Sequence, residues 1–274
     1  MELVRTISAL RERLEGEHSI SFVPTMGNLH EGHLALTRLA RNHARCVVSS
    51  LFVNRLQFGA GEDFERYPRT LVEDCEKLER ASVDIVFAPE ESELYPVLQE
   101  VTVCLPEIAE ELCGAHRPGH FRGMATVVLK LFNVVQPHYA VFGKKDYQQL
   151  LLVRKMVEQL NLPVAIIPGE TVREADGLAM SSRNLYLTDR ERKEAGRLYF
   201  NLERTKRALI SGGGDFHAIE LEGRIDLEGR GWEVDYYEIR DAESLARPGP
   251  QSARLVVLGA ARLGKTRLID NLEI

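Results

Sequence analysis

An α/β protein with a mainly parallel sheet, followed by a smaller α+β unit, is the architecture this sequence predicts. Three observations lead there. Over the first three quarters of the chain, short apolar runs alternate with amphipathic helical stretches, the pattern of consecutive βαβ units. Near Glu170 that alternation stops, and a polar stretch leads into a charged helix. A length of 274 residues leaves room for roughly two domains, at about 100 to 200 residues each. We place them at residues 1–171 and 172–274.

Taken in order, the predicted strands are Ile20 to Pro24, Cys46 to Val53, Asp84 to Pro89, Tyr139 to Gly143 and Val164 to Gly169, each an apolar run of strand length. Leu34, Leu36, Leu39 and Ala40 mark the buried face of a helix after the first strand. A further helix is predicted over Met124 to Val135. Leu150, Leu151, Val153, Met156, Val157 and Leu160 recur at helical spacing after the fourth strand. The second domain opens with a charged helix from about Thr188 to Ile210 and a loop at Ser211 to Asp215. A short helix and the strands Glu233 to Ile239 and Arg254 to Gly259 follow, and Leu268, Ile269 and Leu272 suit a closing strand or turn.

Composition excludes several function classes. Asp and Glu number 41 against 35 Lys and Arg, a formal net charge of -6, which argues against a broad basic face for nucleic acid. Apolar runs such as Leu255 to Ala261 fall well short of the roughly 20 residues of a membrane helix. Glu2, Arg5, Arg11, Glu12 and Arg13 interrupt any secretory apolar region, so a cytoplasmic location is expected. Cys46, Cys75, Cys104 and Cys113 form no C-x-x-C pair. They are expected to be small buried side chains in a reducing compartment, and no metal site is expected.

Four segments carry the chemistry. Pro24 to His33 joins the first strand to the first crossover helix, where a helix N-terminus offers unpaired N–H groups to phosphate. Gly27 and Gly32 allow close backbone approach, and His30 and His33, three apart, can reach one phosphate group. A metalloprotease site would need the histidines four apart. Phe52 to Gly59 follows the second strand, and its Asn54 and Gln57 suit a small polar substrate. Gly143-Lys144-Lys145-Asp146-Tyr147-Gln148-Gln149 places lysines at a strand-to-helix junction, which suggests an anionic ligand. Met180-Ser181-Ser182-Arg183-Asn184 sets hydroxyls and a guanidinium at the domain boundary. Against these stands Gly259 to Thr266, which fits the phosphate-binding P-loop pattern. Only Arg267 to Ile274 remain beyond it, too little for the helix and parallel strands of a P-loop kinase, so the match is read as accidental.

The segments Phe22 to His33, Phe52 to Asn54, Gln57 to Gly59, Tyr67 to Thr70, His120 to Gly123, Gly143 to Gln149 and Asp176 to Asn184 together resemble the pantothenate synthetase family, the ATP-dependent pantoate–β-alanine ligases. The resemblance spans nearly the whole chain. It implies a Rossmann-like doubly wound parallel sheet of the His-x-Gly-His nucleotidylyltransferase type, a small C-terminal lid domain and a homodimer. It also implies ATP as substrate with Mg2+, and pantoate and β-alanine as the small-molecule partners. His33, His30, Lys145 and Arg183 are then the catalytic candidates. The nucleotide site is Met26, Gly27, Asn28, Leu29, His30, Glu31, Gly32, His33, Gly143, Lys144, Lys145, Asp146, Val172, Met180, Ser181, Ser182 and Arg183. Gln57 and Gln149, with Asn54, are the substrate contacts, and Arg262 to Asn271 becomes the family's terminal segment. Two residues depart from the family pattern: Arg55 replaces a proline, and Lys144 stands where Glu is common. Glu73 and Asp74 are open to two readings, an acidic helix face or a carboxylate-lined metal position. A different His-x-Gly-His nucleotidylyltransferase, which keeps the adenylate as product, and a nucleotide-binding regulator are the competing functions.

Overall fold

The computed structural model describes residues 1–212, 214–250 and 252–274, and it divides the chain into two compact units. Gly213, inside the expected loop at Ser211 to Asp215, lies outside the described residues.

The first unit comprises Met1–Gly143 and Leu152–Gly169. Its strands are β1 (Glu2–Val4), β2 (Ile20–Thr25), β3 (Cys46–Leu51), β4 (Ile85–Phe87), β5 (Tyr139–Gly143) and β6 (Ala165–Gly169). They form one parallel sheet in the order β1-β4-β3-β2-β5-β6. Its helices are α1 (Ile7–Leu14), α2 (Glu31–Arg41), α3 (Leu71–Arg80), α4 (Glu91–Leu94), α5 (Cys113–His116) and α6 (His120–Val135), and α7 (Tyr147–Gln159) begins in the second unit and ends in the first.

Nearly every residue of β2 and β3 is buried, as expected of parallel strands covered on both faces. Val23, Val47, Val86 and Val141 from the sheet pack with Leu29, Ala40 and Leu78 in one core cluster. The strand order reverses between β2 and β5, and in open α/β sheets ligands bind at the carboxyl ends of the strands beside such a reversal. The loop Met26 to His30 leaves the carboxyl end of β2, and Gly143 closes β5.

The second unit comprises Lys144–Leu151 and Glu170–Ile274. It holds α8 (Asp189–Glu194), α9 (Arg197–Ile210), α10 (Phe216–Glu228) and the strands β7 (Trp232–Asp241), β8 (Leu255–Leu263) and β9 (Thr266–Glu273), an antiparallel sheet in the order β7-β8-β9. Leu198, Leu202 and Leu227 from the helices close over Trp232, Ile239, Val257 and Leu268 from the strands.

Three expectations are refined. The charged helix is two helices, α8 and α9, broken at Ala195 and Gly196, where Gly196 packs on the Asp176 carbonyl. The P-loop-like stretch is β8 followed by a hairpin: Leu263 pairs with Thr266, and Gly264 turns the chain at φ +58°. A strand follows where a kinase needs a helix. Of the cysteines, Cys46 and Cys113 are buried, with burial pushing the Cys46 thiol up to about 11, but Cys75 is half-buried and Cys104 exposed. Among the described residues no helix is long and apolar enough to cross a membrane.

Candidate active site

The loop after β2 is held from within and from below. Asp74 on α3 is 1% exposed, and its two carboxylate oxygens accept the N–H groups of Asn28 (2.8 Å) and Leu29 (2.7 Å). Thr70 Oγ1 donates to the same carboxylate at 3.0 Å, and Lys77 Nζ donates to the Leu29 carbonyl at 2.7 Å. Gly27 sits at φ +83°, with room for a Cβ only 3.0 Å from Asp74 Oδ2, so glycine suits this close approach. The carboxylate thereby turns the loop and starts α2. A cation at Asp74 would compete with these three donors, and Glu73 is exposed, so the pair does not fit a metal position. Among the described residues no group of three or more His, Cys, Asp or Glu could hold a metal ion.

His30 is the N-cap of α2. Its Nδ1 accepts the Gly32 N–H at 3.2 Å, and His33 Nδ1 accepts the His30 N–H at 3.3 Å. This reciprocal arrangement is a capping box made of two imidazoles, whose ring centroids lie 4.1 Å apart. An Nδ1 that accepts leaves the ring proton of the neutral form on Nε2, so both histidines are set as Nε2–H donors. Glu31 at the start of α2 forms an ion pair with Arg38 at the exposed surface.

Gln57 lies in a short 3-10 turn, Arg55–Gln57, after β3. Its side chain accepts from Asn54 Nδ2 at 3.1 Å and donates to Met26 Sδ at 3.1 Å. Asn54 also donates to the Gly123 carbonyl (3.1 Å) and accepts from Tyr95 (2.8 Å), so its polar atoms are committed inside the fold. Gly123 is required here, because a Cβ would lie 2.0 Å from the Leu56 carbonyl. The Gln57 carbonyl is 2.8 Å from His120 Nδ1; Arg117 donates to His120 Nε2 at 3.1 Å and grips Glu62 with two bonds of 2.7 and 2.6 Å. Burial pushes Glu62 up, but the Arg117 bonds outweigh it and hold the carboxyl below the usual range. Arg55, the departure from proline, is exposed, pairs with Glu65 and Glu91 and stacks on Phe64.

In the second unit, Lys144 is occupied by two carboxylates, Glu170 and Glu273, each at 2.7 Å. Burial lowers its ammonium, but these partners raise it further, so it stays charged. Lys145 is a fifth exposed and lies 3.6 Å from Asp146, and Gln149 is half-buried on the first turn of α7. Val172 and Met180 are joined by a 3.0 Å backbone bond. Ser181 caps the turn Ser182–Tyr186 by accepting the Arg183 N–H at 3.3 Å.

The structure thus pairs His30 with His33 and Met26 with Gln57 in the first unit, and ties the Lys144–Lys145 turn and the Val172–Arg183 segment into the second. Sequence reasoning missed the structural roles of Asp74, His120, Arg117, Glu62 and Tyr95. His120 stood in a quoted motif, but its partner is 63 residues away.

Residues 2–273 match the Pantoate-beta-alanine ligase family. The chain belongs to this family. The pantothenate synthetase of Nitrosospira multiformis is 59% identical over 274 residues, covering 100% of this chain and 98% of its own. The crystal structure of pantothenate synthetase from Thermus thermophilus shares 45% identity at a TM-score of 0.95, covering 99% of both chains. The pantoate-beta-alanine ligase of Francisella tularensis, solved in complex with beta-gamma ATP and β-alanine, shares 33% identity at a TM-score of 0.84, covering 99% of this chain and 97% of that one. Similarity therefore runs through both units of this pantoate–β-alanine ligase family member.

Proposed function

We infer that this chain condenses pantoate with β-alanine at the expense of ATP, giving pantothenate, AMP and pyrophosphate through a pantoyl adenylate. A carboxylate is a poor acylating agent, so it is first activated: the pantoate carboxylate attacks the α-phosphorus and pyrophosphate leaves. The β-alanine amine then attacks the acyl carbon and AMP leaves. The observation that carries this reading is the family match over residues 2–273, joined to a strand-to-helix loop that sets two histidines as Nε2–H donors at the carboxyl edge of the sheet.

In this reading His30 and His33 donate Nε2–H hydrogen bonds to ATP phosphates, and Lys145 and Arg183 add fixed positive charge where negative charge shifts in the transition state. Because the Asn28 and Leu29 N–H groups face Asp74 and the Gly32 N–H faces His30 Nδ1, the imidazoles, more than those amides, are the loop's contribution to phosphate. Gln57 and Gln149 orient pantoate with neutral amides, which hold the carboxylate without quenching its nucleophilicity as a bidentate arginine would. Asn54 acts through Gln57, whose amide oxygen it fixes. Mg2+ arrives with ATP on phosphate oxygens and shields their charge. The active protein is a cytoplasmic homodimer, which sedimentation at micromolar concentration tests.

Incubation with ATP, Mg2+, pantoate and β-alanine, with products identified by mass spectrometry, tests the function. AMP and pantothenate are expected only when both organic substrates are present. An adenylate accumulating as final product, with β-alanine ignored, would replace the ligase by a plain adenylyl transferase.

A further inference from the structure

The last strand carries a buried polar pair, Asp270 and Asn271, that the proposed chemistry does not use. Asp270 is 4% exposed and Asn271 is 5% exposed. Successive side chains leave opposite faces of a strand, so neighbours on β9 can hold two different segments at once. On one face, Asn271 Nδ2 donates to the carbonyls of both Lys144 and Lys145, each at 2.9 Å. Glu273, two residues on and on the same face, accepts from Lys144 (2.7 Å) and from Tyr147 Oη (2.9 Å). The turn that carries Lys145 into α7 is therefore bolted to β9 by side chains, beyond its own helical bonds.

On the other face, Asp270 takes both arms of the Arg173 guanidinium, at 2.6 and 3.0 Å. Arg173 also donates to the Gly177 carbonyl (3.0 Å) and lies over the Tyr199 ring at 4.1 Å. It adjoins Val172, bridges to Ala179, and so fixes the narrow loop that returns to Met180 through the Val172 carbonyl. One dipeptide thus holds both backbone segments of the second unit that carry nucleotide-site candidates.

We propose that Asp270 and Asn271 are positioning residues for adenylation: Asn271 sets Lys145 through the two carbonyls it holds, and Asp270 sets Val172 to Arg183 through Arg173. The proposal rests on the reading of Lys145 as a transition-state donor. Neither residue need touch substrate. The P-loop-like stretch ends before this pair, and its lysine, Lys265, is exposed on the hairpin.

A double-mutant cycle tests the assignment. Asn271→Ala lowers the single-turnover rate of pyrophosphate release by roughly ten- to a hundredfold, the range expected when a catalytic group is misplaced by about 1 Å. Asn271→Ser, which keeps one donor, falls between Asn271→Ala and wild type. In a Lys145→Ala background, Asn271→Ala costs less than about threefold, because the group it positions is gone. Equal factors in both backgrounds would overturn the Asn271 assignment. Attack of β-alanine on supplied pantoyl adenylate is the fold control, and it stays within about threefold. If both Asn271 variants lose that step as severely, or melt below the assay temperature, Asn271 is a stability residue and the proposal falls. Asp270→Asn raises the ATP requirement roughly tenfold and the pantoate requirement less than about twofold; equal rises overturn its half. A Lys145→Ala variant that adenylates at the wild-type rate would sink the underlying reading of Lys145. A crippled Lys145→Ala beside an unaffected Asn271→Ala would sink this proposal alone.

Discussion

The histidine loop and the lysine turn face the same mechanical problem, and the two units solve it differently. In the first unit a buried carboxylate, Asp74, collects two backbone N–H groups and a hydroxyl, so the loop is held by charge-assisted bonds out of water. In the second unit the turn at Lys145 is held by a neutral amide, Asn271, and by ion pairs of Lys144, one of whose partners, Glu170, is largely exposed. A buried acceptor with three donors is costly to lose, because each stranded donor carries its own desolvation penalty. A partly exposed ion pair contributes at most about 1 kcal/mol. The loop should therefore cost more to disrupt than the lysine turn, although Asn271 and Glu273 hold that turn in place.

That contrast is broken most directly at Asp74. Asp74→Ala strands the Asn28 and Leu29 N–H groups and Thr70, so we expect at least about 3 kcal/mol of lost stability by urea unfolding, with adenylation lost as well. A loss under about 1 kcal/mol would mean the loop holds itself, and the comparison would fail.

Next in size are the substrate amides. Gln57→Ala and Gln149→Ala should raise the pantoate requirement by roughly tenfold or more while leaving the ATP requirement within about twofold. Steady-state titration of each substrate separates the two, and equal rises would place these residues elsewhere.

The Glu62–Arg117 pair behind Gln57 supplies a smaller, pH-dependent effect. Because Arg117 holds the Glu62 carboxyl below its ordinary range, its stabilisation is present above the unfolded value of 4.5 and is lost as pH falls through the folded value. Glu62→Gln should cost about 1 to 2 kcal/mol near neutral pH, with the difference from wild type shrinking below about pH 4.5. Urea unfolding from pH 7 to pH 3 reads this out. A constant gap across that range would show that the loss is packing, not charge.

The smallest expected effect is at Lys265, exposed in the β8–β9 hairpin. Lys265→Ala should change turnover by less than about twofold, the ordinary scatter of a surface change. A hundredfold loss in a folded variant would revive a phosphate-binding role for this loop.

The same contrast explains what was legible in the sequence. Strands β2, β3 and β5 are local apolar runs whose predicted ends fall close to the observed ones, and helix α2 shows its apolar face at helical spacing. The loop with His30 and His33 and the turn with Lys145 were legible too, because glycine, histidine and lysine at strand-to-helix junctions have a local physical meaning. The supports were not legible. Asp74 binds residues 45 and 46 positions earlier, and Asn271 binds carbonyls 126 and 127 positions earlier. Such long-range pairs leave no periodicity. From sequence Asp74 is open to an acidic helix face or a metal position, and only its burial and its three long-range and local donors show it to be a loop support. Short β1 was missed for a related reason: Glu2–Val4 is too brief for a pattern, and it exists because it pairs with β4.

Both regions are proposed to serve the activation of pantoate by ATP, before β-alanine enters. Rapid-mixing measurement of pyrophosphate release without β-alanine tests this role, run on wild type, His33→Ala and Lys145→Ala beside single turnovers from synthetic pantoyl adenylate. A burst of about one pyrophosphate per wild-type chain with adenylate retained is expected. Both variants should lose roughly a hundred- to a thousandfold in that burst rate, and much less from the supplied adenylate. A wild-type enzyme that turns over normally yet shows neither burst nor adenylate, or variants that lose both half-reactions equally, would contradict this role.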